Sequence, residues 1–442
     1  MSNRARKDGL FLLMIGCAAF LLIGTVWFRS AGSMMDFRTA YSSTRCLLDG
    51  CDPYNPSDVL RDYRAHAGAQ PKSSAPDLFV ISHDVYPPSE FAIIVPFAAL
   101  PIDTAMLVWD ALVAVCVILA SFLMWQEGAH SAPVAFGWLL CFFLANSSTL
   151  LGCGNPASWA VSLCVIGVYC ILKQRFDTAG IICLAMSLCL KPWDGGAIWL
   201  YFLLAGGALR KRALQTLALV ACITLPTMLW VAHNSPHWIG ELRANLQAFS
   251  HINDPGPGTA GGRGFYMITD LQTVFSYIWD KPLFYNLACF AVCLPLIVLW
   301  AKRALRSRGS VTEHWLGVAT IAALSMVLFY HRQYDAKLIL LAIPACGLAI
   351  EQGGKIRRWA LIVTATAIVL NGEFVWILLL HIFTKSNVAA VVPAFVSLIV
   401  PVPISLLALG SFFLLVNLKR AKTAETELGD RRGRLEPDIA NV

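Results

Sequence analysis

The sequence predicts an all-α integral membrane protein, a polytopic helical bundle, and three observations support this fold class. Hydrophobic residues make up 57% of the 442 residues and charged residues only 14%, and the mean hydropathy is +0.63. Apolar runs of about 20 residues, long enough to cross a hydrocarbon core of roughly 30 Å, recur along the chain. Short basic segments separate these runs at alternate positions, as in multi-pass membrane proteins.

Counting the apolar runs predicts about twelve transmembrane helices. The first follows Arg4, Arg6 and Lys7, and we interpret it as a retained signal anchor because polar loops and further spans come after it. Two short spans meet at Lys191-Pro192, where the helix count is least defined. The predicted spans lie near residues 10–28, 104–125, 133–151, 156–172, 178–190, 193–209, 213–232, 283–301, 314–330, 336–350, 359–382 and 391–417.

The basic residues orient the chain. If the amino terminus is cytoplasmic, the clusters at 173–175, 210–212, 302–308, 355–358 and 419–422 all fall on the cytoplasmic side, as the positive-inside rule requires. The net charge of +7 is then a topology signal that contacts membrane lipids, and it indicates no nucleic-acid partner. We expect a multi-pass protein of the plasma (inner) membrane.

Six segments describe the predicted organisation. Two external loops are too long to be simple turns and are expected to carry function. The second contains a Gly- and Pro-rich stretch that we interpret as a substrate lid. The segments are the amino terminus and first helix (1–28), the first external loop with interfacial helices and catalytic residues (29–103), transmembrane helices (104–232), the second external loop (233–282), further transmembrane helices (283–418) and a disordered cytoplasmic tail (419–442).

Cysteine usage predicts no metal site. Most of the 14 cysteines lie inside apolar spans, where cysteine behaves as a small hydrophobic residue. Cys46 and Cys51 lie in the first external loop, where an oxidising compartment would permit a disulfide. Five residues apart on one helix they would be poorly placed to pair, so the sequence leaves their pairing open.

Asp36 is the leading candidate for a catalytic base. It follows the first span directly, in an apolar and aromatic setting that includes Tyr41. A carboxylate at the membrane surface suits a reaction between a lipid-borne substrate and a second substrate from water. The alternative is that Asp36 only caps an interfacial helix over 37–48. Asp84 is the rival for the catalytic role, or a partner for acceptor hydroxyl groups. The segment 91–100, interrupted by Pro96, is expected to be an interfacial or re-entrant helix rather than a full span.

A set of motifs in a fixed order resembles glycosyltransferase family 87, also described as a domain of unknown function. The motifs are Asp-Phe after the first span (Asp36), Leu-Leu-x-Gly-x-Asp-Pro-Tyr, Tyr-Pro-Pro, Gly-Asn-Pro before a span (Asn155), Leu-Lys-Pro at the end of a span (Lys191) and His-Arg-Gln-Tyr (His331 onward). The resemblance extends over about residues 10–350. The chain departs from the family at Gly154-Asn155, where Gly-Gln is common, and at 270–273, where Asn-Gln-Ser is common.

The resemblance implies a GT-C type bundle and an enzyme similar to polyprenol-phosphate-mannose-dependent α-mannosyltransferases. Such an enzyme transfers a hexose from a polyprenyl-phosphate donor to a lipid or envelope glycan acceptor at the external face, with inversion. The departures at 154–155 and 270–273 bear on the acceptor more than on the reaction. The chemistry requires no protein-bound cofactor. A divalent cation would be compatible with a phosphate leaving group, although no ligand cluster in the sequence demands one.

Cations at the external ends of spans are the predicted phosphate ligands. For Lys191 we favour phosphate binding over a role as a membrane anchor. For Arg332, beside His331, the two roles are weighed equally. Arg263, in the Gly-rich loop, is interpreted as a residue that keeps the loop soluble rather than as a phosphate ligand. Gln333 and Asp335 are interpreted as a hydrophilic turn. The residues predicted to bind substrate are Lys191, His331, Arg332, Arg263, Tyr41 and Asn155.

Three other functions fit a polytopic chain. A secondary transporter would use a broken helix near the bilayer midplane, here at 191–194, together with internal repeats, and no convincing repeat is found. An envelope glycan polymerase or ligase would share the external loops, but would depend less on an acid after the first span. A membrane scaffold would not explain why the acids and cations collect on one side.

Overall fold

The computed structural model describes residues 3–30, 33–66, 75–253, 268–276, 278–307, 309–374 and 400–435, and these residues are helical with short connections. The first half of the chain contains thirteen helices in the described segments. They are α1 (Asn3–Phe28), α2 (Met35–Leu48), α3 (Pro56–His66), α4 (Ala75–Ser82), α5 (Ser89–Ala98), α6 (Ile102–Gly128), α7 (Pro133–Ala145), α8 (Thr149–Gly152), α9 (Pro156–Lys173), α10 (Asp177–Leu190), α11 (Pro192–Ala205), α12 (Gly207–Asn234) and α13 (Trp238–Asn253).

The second half continues with helices that return to the same bundle. They are α14 (Leu271–Ser276), α15 (Pro282–Leu305), α16 (Val311–Leu328), a 3₁₀ helix (Asp335–Leu341), α17 (Ala342–Glu351), α18 (Gly354–Leu370) and α19 (Pro401–Leu435). The chain is therefore an all-α polytopic membrane protein, as predicted. The backbone of α19 continues to Leu435, into the tail for which no structure was predicted.

Eight helices within the described residues are long and apolar enough to cross a membrane, against about twelve predicted spans. The difference lies in predicted spans that form shorter helices. On either side of Lys191, α10 and α11 have 14 residues each, about 21 Å at 1.5 Å per residue. The predicted span 336–350 is divided between the 3₁₀ helix and α17. Residues 375–399, which contain parts of the two last predicted spans, lie outside the described residues.

Helix α1 packs closely on α7 because glycines line the contact. A Cβ atom on Gly9 would lie 2.3 Å from the carbonyl oxygen of Pro133, and one on Gly16 would lie 2.6 Å from the Cα atom of Cys141. Small residues allow membrane helices to approach at backbone distance. This contact places the end of α1, and hence α2, beside the loop that follows α8.

The described residues between α1 and α6 pack against one another and against α13. The Tyr54 hydroxyl donates to the Tyr86 carbonyl at 2.8 Å, and the Asn245 amide donates to the carbonyls of Tyr54 and Asp84, each at 3.0 Å. Cys46 and Cys51 form a disulfide, which is compatible with their spacing because α2 ends at Leu48. Helix α5 has ten residues, too few to span a bilayer, as predicted.

Candidate active site

Asp36 lies in the first turn of α2, and the backbone explains its position. Met34 precedes the helix with a left-handed φ of 56°. The backbone N–H groups of Met34 and Asp36 donate to the carbonyls of Gly152 and Cys153 at 2.7 and 3.2 Å. The helix N-terminus favours a negative charge at this position. The N-cap residue is Met34 rather than Asp36, so the alternative that Asp36 only caps this helix is wrong.

Gly154 permits the close approach of α2 to the loop before α9. Its φ is +64°, and a Cβ atom there would lie 2.8 Å from both the Met34 sulfur and the Phe37 Cβ atom. Both the backbone conformation and the available space therefore require glycine. The following residue, Asn155, is brought next to Asp36 as a result.

The amide of Asn155 holds the Asp36 carboxylate in place. Asn155 Nδ2 donates to Asp36 Oδ2 at 2.7 Å and to the Tyr86 hydroxyl at 3.0 Å. Its Oδ1 atom accepts from the Ala157 N–H at 2.8 Å and so caps α9. Because both ends of the amide are engaged, the orientation of Asn155 is fixed by the helix that it caps.

Burial raises the pKa of Asp36, while the hydrogen bond from Asn155 and the positive charges of Arg332 and Lys191 oppose this rise. Asp36 is partly exposed to solvent, and this exposure limits the rise of its pKa. The net result is a carboxylate that accepts a proton more readily than an aspartate in water. This is the property that a general base requires.

Lys191 lies between α10 and α11 and is 4% exposed. It forms an ion pair with Asp335, and its Nζ atom lies 3.9 Å from Asp194 Oδ2 and 4.9 Å from the centre of the Tyr334 ring. A buried lysine held in this way does not anchor the helix at the membrane surface. Gln333 and Asp335 lie at the turn between α16 and the 3₁₀ helix, as predicted, but they are 0% and 2% exposed, so this polar turn is buried.

Arg332 is linked to this ion pair through its backbone. The Arg332 N–H donates to Asp335 Oδ2 at 2.8 Å, while the other oxygen of Asp335 accepts from Lys191. The guanidinium donates through Nε to the Tyr330 hydroxyl at 2.6 Å and is close enough to act electrostatically on Asp36. Lys191 therefore stabilises the turn that presents Arg332 towards Asp36.

His331 is 1% exposed, and its two nitrogens have different surroundings. Nδ1 lies 3.0 Å from the Phe329 carbonyl oxygen, and Nε2 lies 3.6 Å from Asp194 Oδ1. Burial lowers the pKa of His331, and the negative charge of Asp335 opposes this. The imidazole is thus held near Lys191 and Arg332 with one nitrogen directed at a carboxyl group.

The structure brings together Asp36, Asn155, Lys191, His331 and Arg332, but not every predicted site residue. Tyr41 donates its hydroxyl to the Leu100 carbonyl at 2.7 Å, which is a structural contact. Asp84 is 0% exposed, and its Oδ1 atom accepts from the Tyr86 N–H at 2.8 Å. Burial raises the pKa of Asp84 to about 6. Arg263 and the Gly-rich stretch around it lie outside the described residues.

Four side chains in this region, three of them buried and Tyr334 partly buried, were not predicted as site residues. The Tyr86 hydroxyl accepts from Asn155, Tyr334 faces Lys191, and Asp194 lies near both Lys191 and His331. Glu90 is 0% exposed in the first turn of α5. A lone acid in an apolar stretch is a signal that could have identified Glu90 and Asp194, because such residues at membrane depth are costly.

The sequence model of glycosyltransferase family 87 matches residues 85–330, more than half of the chain. The chain belongs to this family. The match includes Asn155 and Lys191, begins after Asp36 and ends just before His331 and Arg332. The chain matches no curated protein and no solved structure.

Family membership makes this chain a membrane glycosyltransferase, which confirms the predicted family and decides against the transporter and scaffold alternatives. In the described residues, one group of side chains is close enough to hold a metal ion, Asp49 with Asp62 and His66. These residues lie at the far end of α2 and in α3, apart from Asp36.

Proposed function

We propose that this family 87 enzyme is of the GT-C type and transfers a hexose from a polyprenyl-phosphate donor to a lipid or envelope glycan acceptor at the external face of the plasma membrane. Mannose is the sugar that the family resemblance suggests. The observation that carries the proposal is that Asp36, held by Asn155, lies within electrostatic range of two cations, Arg332 and Lys191. A base and a phosphate-binding group are the two requirements of the reaction.

Asp36 is the proposed general base. It removes the proton from the acceptor hydroxyl as the oxygen attacks the anomeric carbon of the donor sugar. The raised pKa of Asp36 favours this proton transfer, and positioned bases contribute about 10²–10⁴-fold to such reactions. Asn155 fixes the carboxylate, and its donated hydrogen bond keeps the base ionised before the acceptor arrives.

Arg332 is the proposed principal ligand of the departing phosphate. His331 and Lys191 lie deeper in the protein than Arg332 and support it. Arg332 is partly exposed, whereas Lys191 and His331 are buried. A guanidinium can bind two phosphate oxygens at once, which suits a phosphate monoester leaving group. Lys191 contributes positive charge and holds Asp335, which in turn holds the backbone of Arg332.

Direct displacement follows from this division of roles. The base and the phosphate ligands are separate groups, so the acceptor attacks while the phosphate leaves, and the anomeric configuration inverts. The bond from the anomeric carbon to the phosphate oxygen breaks with its electron pair on oxygen, and the acceptor proton moves to Asp36. In this proposal the protein needs no bound organic cofactor. Transfer in the presence of a chelator tests for a divalent cation.

The test is transfer of radiolabelled sugar from synthetic polyprenyl-phosphate hexoses by the purified protein in lipid vesicles. Asp36→Asn should lower the rate by about 10³-fold with unchanged thermal stability. Asp58→Asn is the matched control, because Asp58 is a solvent-facing acid on α3 that pairs with Arg61, and it should transfer at the wild-type rate.

Two further readouts refine the proposal. Arg332→Gln should weaken both donor binding and turnover, and the anomeric configuration of the product should be opposite to that of the donor. The acceptor that becomes labelled distinguishes a single-sugar transferase from a glycan polymerase or ligase. Full activity of Asp36→Asn would remove the base assignment. Transfer from nucleotide sugars only would contradict the lipid donor.

A further inference from the structure

Glu90 is a buried acid without a hydrogen-bonding partner in the described structure. It lies in the first turn of α5 and is 0% exposed. Neither Oε1 nor Oε2 makes a hydrogen bond to a described residue. Its neighbour Ser89, by contrast, donates its hydroxyl to the Cys189 carbonyl at 2.8 Å. Buried polar groups in folded proteins are nearly always paired, so an unpaired carboxyl group in the interior needs an explanation.

The surroundings of Glu90 place it at the candidate active site. Asp84, Lys191 and Asp36 are the charged groups that act on it. Tyr86, four residues earlier in the chain, has its hydroxyl bonded to Asn155, which also binds Asp36. Glu90 thus lies close to both the proposed base and the proposed phosphate-binding side, where the donor sugar has to be bound.

A structural role does not account for Glu90. It contributes no hydrogen bond that holds two described elements together, and the cation that acts on it, Lys191, is already paired with Asp335. The one described group of side chains that could hold a metal ion is at Asp49, Asp62 and His66. Hence neither an ion pair nor a cation explains the buried carboxyl group.

A polyol ligand would satisfy Glu90. Burial raises the pKa of Glu90 well above its usual range. A carboxyl group accepts hydrogen bonds through both oxygens, and it also donates one when it is protonated. Hydroxyl groups on a sugar ring present matching donors and acceptors. A site built to hydrogen-bond a hydroxyl discriminates strongly against a sugar that lacks it, because the buried protein group is then left unpaired.

We propose that Glu90 binds a hydroxyl group of the transferred hexose and thereby contributes to the choice of sugar. This inference rests on the proposed function, since it requires a sugar between Asp36 and Lys191. Glu90 is a substrate-positioning residue in this proposal. It takes no part in the proton transfer, which belongs to Asp36.

The test compares Glu90→Gln and Glu90→Met with the wild type, using the polyprenyl-phosphate hexose and its monodeoxy analogues as donors. Glu90→Met should lower kcat/KM for the complete hexose by about 10–100-fold, the value of one hydrogen bond to a buried polar group. Glu90→Gln should retain most of the activity, because the amide still donates and accepts. With the monodeoxy donor that lacks the hydroxyl group bound by Glu90, wild type and Glu90→Met should be equally active, because neither protein can form this hydrogen bond.

Stability provides a second readout that separates binding from structure. In the absence of donor, Glu90→Met should have a Tm equal to or higher than that of the wild type, because an unpaired polar group is replaced by an apolar one. Ser89→Ala is the matched control on the same turn, and it should lower Tm because it removes the hydrogen bond to Cys189.

Two outcomes with an impaired Glu90→Met variant would overturn the inference. One is a Glu90→Met protein that loses stability and whose activity only follows the folded fraction. The other is a Glu90→Met protein whose activity relative to the wild type is reduced by the same factor with every monodeoxy donor. If the wild type transfers no sugar from any polyprenyl-phosphate donor, the proposed function fails and this inference fails with it. If the wild type transfers sugar and Glu90→Met does so equally well, only this inference fails.

Discussion

Two buried polar clusters lie near the loop before α9, and they differ in how completely their groups are paired. In the first, Lys337 donates to the carbonyls of Asn146 and Asn371 at 2.9 and 3.1 Å. Glu373 accepts from the Ser148 hydroxyl at 2.9 Å and from the Thr149 backbone N–H at 3.0 Å. The two charged residues are therefore enclosed by hydrogen-bonding partners, and the cluster joins the α7–α8 connection to the end of α18.

In the second cluster, around Lys191, the Asp194 carboxyl group lies within ion-pair distance of Lys191 and His331 but makes no hydrogen bond to a described residue. The Glu90 carboxyl group has neither a hydrogen bond nor an ion pair to a described residue, although Asp194 and Glu90 are 1% and 0% exposed. The same kinds of residue are thus used in two ways. A paired network stabilises the fold, while unpaired buried groups cost stability and are typical of sites that complete their hydrogen bonds with a ligand. Four predictions, three of them with a companion variant, test this distinction and the assignment of residues to the site.

The largest expected effect is on stability, in the paired cluster. Lys337→Met leaves two buried carbonyls without their donor and should lower the free energy of unfolding by about 2–4 kcal/mol. Transfer per folded molecule should stay within about twofold of wild type, because Lys337 is not in the proposed site. Denaturant titration in detergent, combined with the transfer assay, measures both quantities.

The exposed Lys355 provides the control for that measurement. Lys355→Met should change the free energy of unfolding by no more than about 0.5 kcal/mol. A Lys337→Met protein that is as stable as Lys355→Met, or one that is folded but inactive, would contradict the division between a structural and a functional cluster.

The next effect is on activity, in the second cluster. Asn155→Asp keeps the oxygen that caps α9 but replaces the donor to Asp36 with a second carboxyl group. Two carboxylates at this distance share a proton, so less of Asp36 is available as an ionised base at neutral pH. We expect kcat/KM to fall by about 100-fold, within the range of base catalysis, and to recover partly as pH rises.

Asn155→Ala is the companion variant, since it removes the hydrogen bond without adding charge. It should lose less activity than Asn155→Asp at neutral pH, but should be less stable by about 1 kcal/mol because the cap of α9 is lost. Wild-type turnover in Asn155→Asp across the pH range would show that Asp36 does not act as the base.

A smaller effect concerns the backbone that frames the site. Gly154→Ala adds a side chain at a φ of +64° and within 2.8 Å of Met34 and Phe37. It should cost about 2–3 kcal/mol of stability and reduce transfer, because the first turn of α2 has to move.

Gly50 separates the two causes of that loss. Its φ is +78° and a Cβ atom there would have no atom within 4 Å. Gly50→Ala therefore measures the conformational cost alone, about 1 kcal/mol, and should leave transfer unchanged. Equal stability losses in the two alanine variants would mean that the contact with α2 is not tight.

The smallest expected effect is that of Asp84→Asn. The amide oxygen can still accept from the Tyr86 N–H, so transfer should remain within about twofold of wild type, as for residues outside the reacting groups. Because the pKa of Asp84 is raised to about 6 in the folded protein, from about 3.9 in an unfolded chain, the folded state binds this proton more tightly.

The sign of the pH dependence follows from that difference. As pH rises from about 4 to about 6, the unfolded chain releases the proton before the folded protein does, and the contribution of Asp84 to the free energy of unfolding decreases. The Asn variant should lack this decrease, so its advantage in stability over the wild type should grow as pH rises from about 4 to neutral. A large loss of transfer would instead return Asp84 to the role of base.

Much of this protein could be predicted from its sequence because membrane insertion leaves a local signal. Long apolar runs and the side on which basic residues lie need no tertiary information. The all-α polytopic class was identified in this way. The family was identified from short motifs in a fixed order, and the interfacial helix considered over 37–48 corresponds to α2 (Met35–Leu48). Whether Cys46 and Cys51 form a disulfide could not be predicted from the sequence, since their pairing depends on where α2 ends.

The site was predicted only in part. Asp36, Asn155, Lys191, His331 and Arg332 were each identified as candidates at the end of a span, and the fold brings them together. What only the tertiary structure decided is which groups are paired and which are not. Lys191 meets Asp335 across 144 positions of sequence, and Glu90 is left unpaired by the packing of α5. Hydropathy and topology are local properties of a chain, whereas hydrogen-bond satisfaction in the interior depends on which helices pack together.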